Sequence, residues 1–194
     1  DISASKEKGQ EFFNIDKGEY TVLFFGGSSG AMQINRLVEK TAQEIIGFAH
    51  IIHVTGKGQE ELLNQETLGR NYHKIDFLGD NLKYAYAAAD LVVCRAGFAT
   101  LSELAILGKA AVVIPIKSSH QEDNAKYFAE RSAIIVPQDH ELKTSTFVAL
   151  LKDLLHNEDR RDNLSKNIKL ILPHGAEKKL IQVIEGAAGL GPQV

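Results

Sequence analysis

The chain has 194 residues, 44% of them hydrophobic and 24% charged, which is enough apolar content to bury one sizeable core. Its formal net charge of −3 offers no basic field for a phosphate polymer and argues against nucleic acid as a partner. The single cysteine, Cys94, excludes an internal disulfide and a cysteine-built metal cage, and a reducing cytoplasm is the expected compartment.

The polar lead-in from Asp1 to Gly18 carries few apolar residues, does not resemble a signal peptide, and is expected to fray. From there, short runs rich in β-branched or aromatic residues predict strands at Thr21–Phe25, His50–Val54, Lys74–Phe77, Leu91–Cys94, Ala111–Ile114 and Ala133–Val136. Between them, helical spacing predicts helices over Met32–Ile46, Glu60–Glu66, Leu82–Ala89, Leu101–Leu107 and Asn124–Glu130. Regular alternation of strand and helix implies an α/β fold, a parallel sheet with helices on both faces, because parallel neighbours need a crossover connection. After Val136 the pattern is helical only, at Ser145–Leu155, Asp159–Leu172 and Ala176–Glu185, with Pro173 and Gly175 separating the last two. No apolar stretch reaches the ~20 residues needed to span a bilayer, so any membrane association is expected to be peripheral.

Three strand ends carry candidate chemistry. The first strand runs into Gly26-Gly27-Ser28-Ser29-Gly30-Ala31, a turn in which small residues let backbone N–H groups approach a phosphate; a tight turn that binds nothing is the alternative. A dinucleotide reading is disfavoured, since His53-Val54-Thr55-Gly56 stands where an acidic ribose ligand would end the second strand. The fourth strand leads into Phe98-Ala99-Thr100-Leu101-Ser102-Glu103, where a helix start suits a diphosphate and Glu103 has two oxygens for a ribose cis-diol. Thr100-x-x-Glu103 also reads as a capping box, in which the carboxylate serves only the helix start. Arg95 either meets phosphate or braces its loop. Beyond the fifth strand, Gln121 and Asn124 are three apart and suited to sugar hydroxyls, although Ser119-x-x-Glu122 is again a possible cap. No Gly-x-Ser-x-Gly elbow, no HExxH helix and no divided pair of carboxylates is present, and the scattered histidines read as surface or structural.

The glycine-rich turn, the run Ala85 to Gly97, Thr100-x-Ser102-Glu103-Leu104 and His120-Gln121-x-x-Asn124-Ala125 together resemble the C-terminal domain of MurG-type N-acetylglucosaminyltransferases. The resemblance runs from about Tyr20 into the helical tail, with Ser29 standing where the family usually has glutamine. It implies one half of a GT-B glycosyltransferase, two Rossmann-like domains with the nucleotide sugar UDP-N-acetylglucosamine held mainly by this one, and no metal or other cofactor. Residue by residue, it assigns Ser28 to the diphosphate, Phe98, Ala99, Thr100, Leu101 and Ser102 to the phosphate loop, Glu103 to the ribose, and Gln121 with Asn124 to the sugar. Leu78 or Gly79 falls where uracil is read through a backbone group. The expected organisation is a lead-in over 1–19, the donor-binding domain over 20–186 with its helical tail from about 143, and a flexible end over 187–194. The family's other half, with the catalytic histidine and the surfaces for a lipid-linked muramyl-pentapeptide acceptor and the cytoplasmic face of the membrane, is absent from this sequence. By this reading the chain holds donor without a catalytic residue of its own. A separate donor-binding subunit of a two-chain transferase, and one half of a UDP-sugar epimerase, are the alternatives.

Overall fold

A computed structural model describes residues 2–26, 32–58 and 68–172. Its centre is a five-stranded parallel sheet of β1 (Thr21–Phe25), β2 (His50–Val54), β3 (Tyr72–Ile75), β4 (Leu91–Cys94) and β5 (Ala111–Val113), ordered β3-β2-β1-β4-β5. The helices are α1 (Lys6–Phe13), α2 (Met32–Ile45), α3 (Leu82–Ala88), α4 (Phe98–Leu107), α5 (His120–Ala129), α6 (Thr144–His156) and α7 (Glu158–Lys169). None of them is long and apolar enough to cross a membrane.

The central strands are predominantly apolar and buried because both faces of the sheet are covered. Val22, Phe24, Ile51, Leu91, Val93 and Val112 point to one side, where they pack with Ile34, Leu37 and Val38 of α2 and Phe147, Leu151 and Leu155 of α6. Their alternate neighbours Leu23, Ile52, Val92, Cys94 and Val113 point to the other, against Phe13 of α1, Ala85 and Tyr86 of α3, Leu101 and Leu104 of α4, and Phe128 of α5. The period of two along each strand thus divides the apolar residues between two cores.

Three expectations need correction. The lead-in is ordered: Ser5 caps α1 by accepting from the Lys8 N–H, Asn14 closes it in the left-handed region at φ 52°, and Phe13 is buried. Gly9 explains the docking, since a Cβ there would lie 2.5 Å from Ala88 N and 2.6 Å from Tyr84 O, so two helix backbones meet where only glycine fits. The third strand begins two residues earlier than Lys74 and ends at Ile75, where Ile75 accepts from Thr55 N–H just as β2 stops; Asp76 and Phe77 are exposed. Ala133–Val136 is no strand but a single parallel bridge, Val112 to Ile135, because the chain leaves α5 through Ser132 at φ 51° and reaches Pro137, which has no N–H to continue a ladder. The remaining helices match within a few residues, α4 and α5 each starting three to four residues earlier than their apolar spacing suggested. The expected helices at Glu60–Glu66 and Ala176–Glu185 lie wholly outside the described residues.

A buried polar chain fixes α2 to the sheet. Asn35, 1% exposed, donates from Nδ2 to Thr55 O at 3.0 Å and turns Oδ1 to His53 Nε2 at 2.9 Å. His53 Nε2 therefore carries the proton, and Nδ1 accepts from the Tyr72 hydroxyl at 2.9 Å. Burial pushes the His53 pKa down to about 3, so the ring is neutral in the folded protein. His53 is a structural histidine, one of the two roles read for the scattered histidines.

Candidate functional site

In this strand order β1 lies between β2 and β4, and the chain leaves β1 and β4 toward different sides of the sheet. The crevice so formed beyond the carboxyl ends is where ligands bind in open parallel sheets. Phe25 pairs with Cys94 and Cys94 with Val113, so the exits of β1, β4 and β5 stand level. Gly26, Arg95 and Ile114 consequently begin three adjacent loops. Ser28 belongs to residues 27–31, outside those described.

The β4 exit is short. Ala96 is buried, Gly97 is the N-cap of α4, and among the described residues no side chain caps that helix. Its first intrahelical bond is Leu101 N–H to Gly97 O, at 3.0 Å. The N–H groups of Phe98, Ala99 and Thr100 thus precede the bonded ladder and, with the positive end of the helix dipole, form an anion-binding arrangement. Phe98 and Ala99 are exposed at this mouth, whereas Leu101 turns into the core. A Cβ on Gly97 would meet nothing nearer than Thr100 Oγ1 at 3.9 Å, so the packing of the described residues does not demand glycine there.

This geometry removes the capping-box reading of Thr100-x-x-Glu103. Because α4 opens at Phe98, Thr100 is the third helical residue and Glu103 lies beyond the first turn, away from the N-cap. Glu103 instead accepts at Oε2 from the hydroxyl of Tyr86, at 2.8 Å. Four residues from Ala99, it shares the face of α4 that carries the exposed mouth. At the β5 exit the second proposed cap does exist in altered form. Ser119 accepts from Gln121 N–H at 3.2 Å, while Glu122 accepts from Ser118 N–H at 2.8 Å.

Arg95 braces its surroundings. Nη1 donates to Ile114 O at 3.0 Å, Pro115 O at 3.2 Å and Gln33 Oε1 at 3.0 Å, joining β4, β5 and the start of α2. Its Nε is buried without a partner among the described residues, and burial lowers the guanidinium pKa from its ordinary value. Asn124 reaches across from α5 and donates to Ala96 O at 3.0 Å, so it tethers the loop that leads to the α4 amides. Gln121 turns its Oε1 back to Ile116 N–H at 3.2 Å. Leu78 and Gly79 stand beyond β3 at the start of the short 3-10 turn Gly79–Asn81 that leads into α3. The described candidates Leu78, Gly79, Phe98 to Glu103, Gln121 and Asn124 therefore all follow carboxyl ends of strands on one edge of the sheet.

Sequence reasoning missed Tyr86, Gln33 and the bracing role of Asn124. Tyr86 lies within an alanine-rich helical pattern that shows nothing of its partner, and Gln33 meets Arg95 only through the fold. Two cavities border these elements. One of about 490 Å³ adjoins the β5 exit, lined by Gln33, Pro115, Lys117, Glu122 and His140 among others. Another, of about 610 Å³, lies at the amino ends of the strands. There the Lys109 amine donates to Ala87 O at 3.4 Å and Ala89 O at 2.9 Å, capping the C-terminus of α3, and burial pushes its pKa down to about 8. That amine is occupied by structure, and it lies at the far end of the sheet from the α4 mouth.

Comparison with known proteins agrees with this arrangement. A relative from Halothermothrix orenii, a UDP-N-acetylglucosamine-N-acetylmuramyl-(pentapeptide) pyrophosphoryl-undecaprenol N-acetylglucosamine transferase, is 33% identical over 199 residues, covering 96% of this chain and 54% of the relative. The enzyme of the same name from Desulforamulus reducens is 32% identical over 197 residues, with 95% and 53% covered. The chain thus spans about half the length of the curated relatives it matches. Among solved structures, Acinetobacter baumannii MurG superposes with a TM-score of 0.73 at 24% identity, covering 94% of this chain and 53% of that one. A UDP-N-acetylglucosamine 2-epimerase from Listeria monocytogenes, described as putative in its own name, gives 0.68 at 11% identity, with 94% and 48% covered. At such identities these structures share the fold, one Rossmann-like half of a GT-B architecture. Residues 21–181 match the C-terminal domain of glycosyltransferase family 28, and the chain belongs to that family.

Proposed function

We propose that this chain is the donor-binding domain of an inverting N-acetylglucosaminyltransferase, which holds UDP-N-acetylglucosamine for transfer to a lipid-linked muramyl-pentapeptide in peptidoglycan synthesis. The observation that carries the proposal is the start of α4 at the switch point of the sheet, uncapped by any side chain among the described residues, with the Glu103 carboxylate on the same face. The amides of Phe98, Ala99 and Thr100, together with Ser28 from the β1 exit, would meet the diphosphate. Leu101 and Ser102 complete that helix start, Leu78 or Gly79 offers a backbone group to uracil, and Gln121 with Asn124 borders the sugar. The helix dipole stabilises the negative charge that develops on UDP as it departs, which is charge stabilisation by fixed donors.

The base that removes the acceptor proton, the acceptor surface and the peripheral contact with the cytoplasmic face of the membrane are assigned to a second domain outside this sequence. The names of the relatives support the acceptor assignment, and their twofold greater length supports the second domain. An epimerase shares the fold, but the family match and the relatives at about one third identity favour a transferase.

Calorimetric titration of the chain and its Glu103→Ala variant with UDP, UDP-N-acetylglucosamine and UDP-glucose tests the proposal. Losing one charged hydrogen-bonding partner should cost ~1.5–3 kcal/mol, about tenfold to a hundredfold in affinity for all three. Equal binding by both proteins removes the ribose role of Glu103, and no binding of UDP by the unaltered chain removes the donor site.

A further inference from the structure

We propose that Tyr86 is a positioning residue for the nucleotide ribose, its hydroxyl holding one oxygen of the Glu103 carboxylate so that the group meets the sugar in a fixed orientation. The inference deepens the donor-site reading and rests on it. Tyr86 is 2% exposed and sits on α3, whereas Glu103 sits on α4, so their hydrogen bond ties together two helices that approach the nucleotide from different strand ends. The phenol ring is wedged by packing, with the Phe25 ring edge-on at 6.4 Å and 84° on the last residue of β1. It therefore cannot swing away without disturbing the β1 exit.

Chemistry fixes the direction of this bond. A carboxylate has no proton to give, so the phenol donates and Oε2 accepts. Burial and the neighbouring Glu103 both raise the Tyr86 pKa, which keeps the donor proton in place. An ionised acceptor makes the bond stronger than a neutral one. Among the described residues, Oε2 is the carboxylate oxygen with a protein donor, and the ribose diol then finds an acceptor whose plane is already set. A bare surface glutamate would have to lose its rotamer freedom on binding; this one is ordered beforehand.

The competing explanation is that Glu103 merely satisfies a buried phenol. The two are separated by titrating the chain, Tyr86→Phe, Glu103→Ala and the double variant with UDP and with 2′,3′-dideoxy-UDP, following the fold of each by circular dichroism. If Tyr86 positions the carboxylate, Tyr86→Phe binds UDP roughly three- to tenfold more weakly, binds the dideoxy nucleotide as the unaltered chain does, and adds no further loss in the Glu103→Ala background. Equal weakening toward both nucleotides, a full additional loss in the double variant, or unchanged UDP affinity overturns the inference. Should Glu103→Ala itself bind UDP as well as the unaltered chain, the ribose role of Glu103 fails and this inference with it; absence of UDP binding by the unaltered chain would instead remove the donor-site reading.

Discussion

Gly9→Ala sets two well-defined effects against each other. In the middle of a helix, alanine is favoured over glycine by about 0.5–1 kcal/mol, so propensity alone calls for stabilisation of α1. Packing opposes it. The new methyl would stand 2.5 Å from Ala88 N, 2.6 Å from Tyr84 O and 3.0 Å from Ala87 Cβ, and the first two are backbone atoms that no rotamer change can move. Relief requires α1 to withdraw from α3 by nearly an ångström, which also loosens Phe13 in the core beneath it. Overpacking of this kind costs about 1–3 kcal/mol and should exceed the propensity gain once the lost packing is added. We expect net destabilisation of roughly 1–2 kcal/mol, or about 2–8 °C in Tm for a chain of this size. Urea unfolding followed by circular dichroism measures it as a lower midpoint at unchanged slope. Lys8→Ala, at the exposed neighbouring position, serves as the control and should stay within about 0.5 kcal/mol of the unaltered chain. A Gly9→Ala protein as stable as the parent, or more so, would falsify the close backbone crossing of α1 and α3.

Asn124→Ala separates tethering from sugar recognition: if the side chain acts through Ala96 O, affinities for UDP and UDP-N-acetylglucosamine fall together by several fold, whereas loss confined to the sugar nucleotide would make it a sugar contact. Acid should weaken the fold between pH 6.5 and about 3. His53 and His73 have ordinary pKa values of 6.5 lowered by burial to about 3 and about 4, so the unfolded chain takes up protons before the folded one and stability falls as pH drops through that window. Urea midpoints at pH 7, 6 and 5 should decline, and His73→Gln should flatten the decline; a pH-independent midpoint contradicts the buried neutral state of both rings.

The loops and helix starts of this protein illustrate how far local pattern carries. The runs at Thr21–Phe25, His50–Val54 and Leu91–Cys94 were readable as strands to the residue, because a strand buried on both faces is dominated by β-branched and other apolar residues. Tyr72–Ile75 was placed two residues late, since at the edge of the sheet three of its four residues are only half-buried and the run loses its apolar signature. α4 was started at Leu101 because that is where its apolar spacing begins, while the exposed Phe98 and Ala99, which carry the amides of the candidate site, belong to no apolar pattern.

Amino-acid order alone determined the alternation of strand and helix, the fold class and the blocks that mark the family, because each is written in nearest neighbours and short periods. Which strands lie side by side, and hence which loops share a crevice, was decided only by tertiary structure. So were the contacts across 17 residues from Tyr86 to Glu103, 28 from Ala96 to Asn124 and 62 from Gln33 to Arg95. A hydrogen bond needs its partners within about 3 Å and well aligned, and at those separations along the chain only the packed sheet and helices can bring them there.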